Sequence, residues 1–196
     1  MKYFCCDTET GGIDPREVDL LSGHIVILDD GFNVLDSLGF EIKKELYRVK
    51  ASAMKINKID LVRLYEEGET IKDIETKIYR LLKKHTKPKE IGLDNGSYVT
   101  QEQPLQPLGH SFNFDYSFLK ETFRETDWDK LLARRVRDTQ IVASYLKDKC
   151  VLPQDLEPSL ANLSKHYGIV DLPDHTPKKD TNATIEVYKC MLRYEN

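Results

Sequence analysis

Residues 2–12 read KYFCCDTETGG: an apolar run that ends in two carboxylates one residue apart, Asp7 and Glu9, ahead of a glycine pair. The run suits a buried strand, and in a strand residues i and i+2 share a face, roughly 6–7 Å apart. Asp7 and Glu9 therefore point the same way from one strand end. Two like charges at a partly buried position repel, and one of them would take up a proton unless a cation neutralises the pair. Hard carboxylate oxygens suit Mg²⁺ or Mn²⁺. Taken alone, the short pattern also fits two acids solvated at a strand end.

Working outward, GHIVILDD (23–30) reads as a second strand and NVLDSLGFEI (33–42) as a third. The short connections favour antiparallel neighbours. ASAMKINKIDLVRLYEEG (51–68) carries apolar residues at helical spacing and ends at Gly68. TIKDIETKIYRLLKKH (70–85) is a clearer helix, with Ile71, Ile74, Ile78 and Leu81/Leu82 in one stripe. Thr70 and Asp73 suit its N-cap, and Lys83, Lys84 and His85 suit the negative end of its dipole.

The stretch 86–110 holds Pro88, Pro104, Pro107 and Gly96 and reads largely as an inserted loop, about 94–107. An amphipathic helix comes next over 114–125, through Phe114, Phe118, Leu119 and Phe123. VRDTQIVASYL (136–146) reads as a strand end followed by a helix, SLANLSKHYGI (159–169) as a short helix, and 180–194 as a final one. Ile185, Tyr188, Met191 and Leu192 should face inward there. Strands first, then helices mixed with strands, argue for one mixed α/β sheet with helical cover, and 196 residues for one domain over 1–196.

The totals exclude several classes. With 40% hydrophobic and 32% charged residues the chain reads as an ordinary globular protein. No apolar run approaches the roughly 20 residues of a membrane span, and the apolar start is too brief for a signal peptide, so a cytoplasmic location with no membrane partner is expected. The net charge of −4 gives no global basic footprint. The four cysteines, Cys5, Cys6, Cys150 and Cys190, have no zinc-like spacing and read as buried reduced thiols.

Two further acids stand out. Asp115 begins a helix in the aromatic stretch GHSFNFDYSFL, where a helix dipole favours it. Asp180 comes five residues after His175 in HTPKKD and suits an N-cap. The ordered set DTETGGI (7–13), GHSFNFDYSFL (109–119), DTQIVA (138–143) and HTPKKD (175–180) resembles the exonuclease motifs of the DEDD superfamily. The histidine of the last motif resembles the DEDDh branch, which includes the proofreading ε-subunit and ribonuclease T. ASAMKINKIDL (51–61) is similar to the segment after the third strand in that family, so the resemblance spans essentially the whole chain.

That resemblance implies a ribonuclease H-like fold: a five-stranded mixed sheet, its first three strands antiparallel, flanked by helices. It implies that Asp7, Glu9, Asp115 and Asp180 hold two divalent metal ions, and that His175 is the general base. An unperturbed imidazole pKa of about 6.5 suits that task. The implied partner is the 3′ end of single-stranded nucleic acid, DNA or RNA, and the implied product a nucleoside 5′-monophosphate. By position, Thr10, Gly11 and Ile13 would grip the terminal nucleotide, joined by His110, Ser111 and Phe112 of the second motif. Ser111 stands where the family has Asn, and Ile13 where Leu is usual. Lys178 and Lys179, and the cluster Arg134, Arg135 and Arg137, are phosphate contacts or a solvated face. Tyr98, Phe112 and Tyr116 are candidate stacking groups, with Phe112 reading more as core than as a stacking group. Family members of this size often form a homodimer, which the residues themselves do not specify. The rival function is a non-catalytic nucleic-acid-binding or scaffold module on the same fold, which the presence of all four acids and the histidine disfavours.

Overall fold

A computed structural model of the chain describes every residue except Lys87, Leu93, Asn95, Glu102 and Asn196, and the backbone alone of Lys89, Val99, Gln101 and Glu195. The apolar run at the start becomes β1 (Tyr3–Thr10), which pairs antiparallel with β2 (Leu20–Leu28). β2 in turn pairs antiparallel with β3 (Val34–Glu41). All nine positions of β2 are buried, because it is sandwiched between neighbours with both faces covered. On the other side of β1, β6 (Gln106–Gly109) and β7 (Arg137–Asp138) add in parallel, giving the order β3-β2-β1-β6-β7. The expected five-stranded mixed sheet, with its first three strands antiparallel, is the observed one.

Between β3 and β6 run α1 (Ala51–Asn57), α2 (Leu61–Glu67), α3 (Ile71–His85), β4 (Lys89–Gly92) and β5 (Tyr98–Gln101). The remaining elements are α4 (Phe112–Thr122), α5 (Trp128–Leu131), α6 (Thr139–Asp148), α7 (Leu160–His166) and α8 (Pro177–Leu192). Alternation along β1 divides the core. Phe4 and Cys6 join Ile74, Ile78, Phe118 and Phe123 of the α3–α4 side, whereas Cys5 joins Leu108, Ile185 and Tyr188 on the α8 side. Cys5 and Cys6 are free buried thiols on opposite faces, as their adjacency requires; Cys150, by contrast, is exposed and Cys190 half-buried.

Thr70 caps α3 as expected, accepting from the Asp73 N–H at 3.2 Å and donating to its Oδ2 at 2.7 Å. Three departures from the sequence reading are structural findings. The 51–68 stretch is two helices, because Lys58 turns left-handed (φ 55°) and Asp60 starts a new helix by accepting from Val62 and Arg63. Of these helices only Leu64 is buried, so they form a surface wall. The stretch read as a loop over about 94–107 contains β5, which pairs with β4 as a hairpin, and the start of β6; residues 95 and 102 of it lie outside the described residues. α8 begins three residues earlier than expected, with Thr176 at its N-cap and Pro177 at N1, so Asp180 lies within its first turn and is not the cap.

Candidate active site

The site forms where β1 runs out of its apolar half. Asp7 and Glu9 share the face that α8 covers, and α8 carries Asp180, 8% exposed, to them. Asp115 arrives from the other side, in the first turn of α4. It is fastened by Thr8, the residue between the two acids, whose N–H donates to Asp115 Oδ1 at 2.8 Å and whose hydroxyl donates to the same oxygen at 2.7 Å. Thr8 was not a candidate from sequence; the available signal was its place on the opposite face of the strand from Asp7 and Glu9.

The four acids, His175 and His110 line one cleft of about 420 Å³. Glu9, His175 and Asp180 each offer one ligand atom, and these atoms lie within 4.8 Å of one another. Burial, then the charges of Asp115, Asp180 and Glu9, pushes the Asp7 carboxyl well above its ordinary range. Burial followed by Asp180, Asp115 and Asp174 pushes Glu9 up to about 8. Asp115 is raised to about 7, chiefly by burial and against the pull of the two Thr8 hydrogen bonds. Burial also raises Asp180, opposed by the N–H of Asp174. Four carboxyls that all resist ionisation in one cleft are a site that positive charge stabilises.

A further buried acid, Asp138, organises the site from behind. Asp138 accepts from three backbone N–H groups: Ser111 at 3.2 Å, Gln140 at 2.9 Å and Phe112 at 2.9 Å. It thereby ties the heads of α4 and α6 together. His110 is held beside it, its Nδ1 2.8 Å from Thr139 Oγ1. The same hydroxyl lies 3.3 Å from the Gly109 carbonyl. Burial lowers the His110 pKa and favours its neutral form.

The other wall of the cleft is α1 and the turn after β1. Asp19, 2% exposed, accepts from Lys44 Nζ at 2.7 Å and from the Arg48 N–H at 2.7 Å, and so fixes the segment that leads into α1. Ile13, 79% exposed, lines the cleft with Ala53, Ile56 and Phe114 as an apolar surface. Thr10 also lines it, with its hydroxyl donating to Gly12 O at 2.6 Å and its carbonyl accepting from Asn57 Nδ2 at 3.1 Å.

Three expected binding residues do not line this cleft. Gly11 has its N–H on Asp19 O (2.8 Å) and its carbonyl on the Lys50 N–H (2.6 Å), and a β-carbon there would meet Arg48 O at 2.5 Å. Its glycine serves that close approach of backbones, and Gly12 takes the place on the cleft. Ser111 turns left-handed (φ 56°) and its hydroxyl donates to Gln140 Oε1 at 2.8 Å. Phe112, 1% exposed, packs edge-on to Phe4 and stacks on Tyr116 in the core. The helical register that buries Phe112 and Phe118 turns Phe114, which reads as core from the sequence, out into the cleft. Tyr98 lies exposed on the hairpin, and Arg134, Arg135 and Arg137 are exposed near β7.

The architecture is ribonuclease H-like, the mixed five-stranded sheet expected from the sequence. In particular it matches exonuclease I. Against the crystal structure of E. coli exonuclease I with a dT13 oligonucleotide the TM-score is 0.72 at 21% identity, covering 96% of this chain and 40% of that one. Against the zinc-bound E. coli complex with single-stranded DNA it is 0.76 at 22% identity, covering 99% and 41%. A product-bound exonuclease I gives 0.73 at 20% identity, covering 98% and 43%. The chain thus spans about two fifths of the length of these proteins. No family model and no curated protein matches it.

Proposed function

We propose that this chain is a metal-dependent exonuclease that hydrolyses single-stranded nucleic acid from its 3′ end and releases nucleoside 5′-monophosphates. The observation that carries this reading is the convergence of Asp7, Glu9, Asp115, Asp180 and His175, from three separate stretches of chain, in one cleft. Support comes from the fold, shared with exonuclease I solved on single-stranded oligonucleotides.

The donor set fits hard divalent cations: carboxylate oxygens, partly desolvated, with raised proton affinity that a cation replaces. Asp7, Glu9, Asp115 and Asp180 would hold two such ions, Mg²⁺ or Mn²⁺. When bound they supply positive charge for the scissile phosphate and for both oxygens of the displacement. The protein's own groups do the rest. Thr8 keeps Asp115 from swinging away. His175 takes the proton of the attacking water, being solvent-exposed yet within reach of Glu9 and Asp180. The apolar surface of Ile13, Ala53, Ile56 and Phe114 packs on the terminal base without reading its edges.

Two outcomes test these roles. His175→Ala should lower the trimming rate by about 10²–10⁴-fold while Mn²⁺ still raises the melting temperature; a variant as fast as wild type would remove the histidine from the chemistry. Ile13→Ser should raise KM roughly three- to tenfold, the loss of one apolar contact, with kcat little changed. An unchanged KM would take Ile13 off the substrate.

A further inference from the structure

His175 is exposed, lies in the segment before α8 and has φ 63°, a left-handed conformation that a β-carbon disfavours. The residue before it, Asp174, is anchored at three points. Its N–H donates to Asp180 Oδ1 at 3.1 Å. Its Oδ1 accepts from the Thr176 hydroxyl at 2.6 Å, and its Oδ2 accepts from Lys179 Nζ at 2.6 Å. Lys179 Nζ also lies 4.0 Å from Asp171 Oδ1.

We propose that Lys179 is a positioning residue: from the first turn of α8 its ammonium clamps Asp174 and thereby holds His175 beside Glu9 and Asp180. This rests on the nuclease reading above. All three anchors converge on Asp174, tying the residue next to His175 to Thr176, Lys179 and Asp180. They join the turn to the start of a helix that packs on β1 and β2. Without the lysine, His175 would sit at the end of a segment whose preceding apolar residues, Val170 and Leu172, are themselves exposed. The lysine's charge is already satisfied by Asp174, so it is not a free phosphate contact. Lys178 beside it makes no ion pair among the described residues and is the better group for that role.

The test is a double-mutant cycle over Lys179→Met and Asp174→Asn, with Lys179→Arg as the conservative variant. Steady-state trimming of a 5′-labelled single-stranded oligonucleotide would be measured, together with hydrogen exchange over 171–176. The clamp predicts that Lys179→Met lowers kcat about three- to tenfold with KM within about twofold, consistent with a weak exposed pair, and speeds exchange of the Asp174 amide. Lys179→Arg should stay within about twofold of wild type. The double variant should fall no lower than the worse single one. A raised KM with kcat and exchange unchanged would make Lys179 a phosphate contact and overturn the clamp, as would additive losses. Should the wild-type protein trim nothing, the nuclease reading fails by itself; exchange then decides, faster in Lys179→Met keeping the clamp and equal exchange removing it.

Discussion

Asp7→Asn is expected to lower metal-dependent trimming by about a thousandfold or more, the several kcal/mol that a metal contributes to such a step. The same substitution should make the metal-free protein more stable at pH 8. Asp7 sits among three other carboxyls, and burial and their charges push its pKa well up. The amide matches the neutral acid in shape and has no charge to suppress. A rise in melting temperature of roughly 3–6 °C in EDTA corresponds to about 1–2 kcal/mol for a chain of this size. Thermal melts of the two proteins check it. A variant less stable than wild type would mean that the Asp7 charge is already compensated inside the fold.

The pH dependence of stability has a definite sign. Glu9 titrates near 4.5 when unperturbed and about 8 in the fold, and Asp115 near 3.8 and about 7. Between those limits the folded protein holds protons that the unfolded chain has released. Stability therefore falls as pH rises from about 4 to about 8, and the loss is absent below that window. A cation bound by the same carboxyls replaces the protons. Melting temperatures in EDTA should decline across the window, and saturating Mn²⁺ should flatten the decline. Parallel curves with and without metal would separate these acids from metal binding.

The second large effect is structural. Asp138→Ala removes a buried carboxylate that accepts three backbone N–H groups at 2.9–3.2 Å and leaves them without that acceptor at the heads of α4 and α6. The expected destabilisation is about 3–5 kcal/mol. That lowers the melting temperature by roughly 10 °C, and activity falls with it, since α4 carries Asp115 and its head adjoins His110. Asp138→Asn should cost roughly half as much, because one acceptor oxygen survives. A melt of Asp138→Ala within about 2 °C of wild type would show that other groups join these helices.

What the sequence showed, and what it hid, divides along physical lines. β1 to β3 were legible because short apolar runs mark buried strands and short connections favour antiparallel neighbours. The stripe of α3 was legible because Ile74, Ile78 and Leu82 recur at helical spacing. The break between α1 and α2 was not, since it depends on side chains that compete locally with the helix: Asn57 Oδ1 accepts from the Ile59 N–H at 3.2 Å, and Asp60 caps α2. Composition and periodicity marked Asp7 and Glu9 as a pair, but bringing Asp115 and Asp180 to them required the resemblance of the ordered motifs. Positional carry-over also named Gly11, Ser111 and Phe112, which do not line the cleft. It transfers a place in the chain, whereas exposure to a cleft depends on which way a turn or helix faces. Thr8 and Asp138 escaped notice for the same reason: each acts on a helix head far along the chain, through contacts that only folding creates.

The most direct measurement is trimming of two single-stranded oligonucleotides, one DNA and one RNA, labelled at the 5′ end. Each would be incubated with the protein in Mg²⁺, Mn²⁺ or EDTA, beside Asp7→Asn. A labelled ladder that shortens from the 3′ end, requires metal and vanishes in the variant is the predicted result, and the faster polymer identifies the preferred sugar. Release of labelled mononucleotide at the outset, or intact oligonucleotides despite a metal-stabilised fold, would contradict the account.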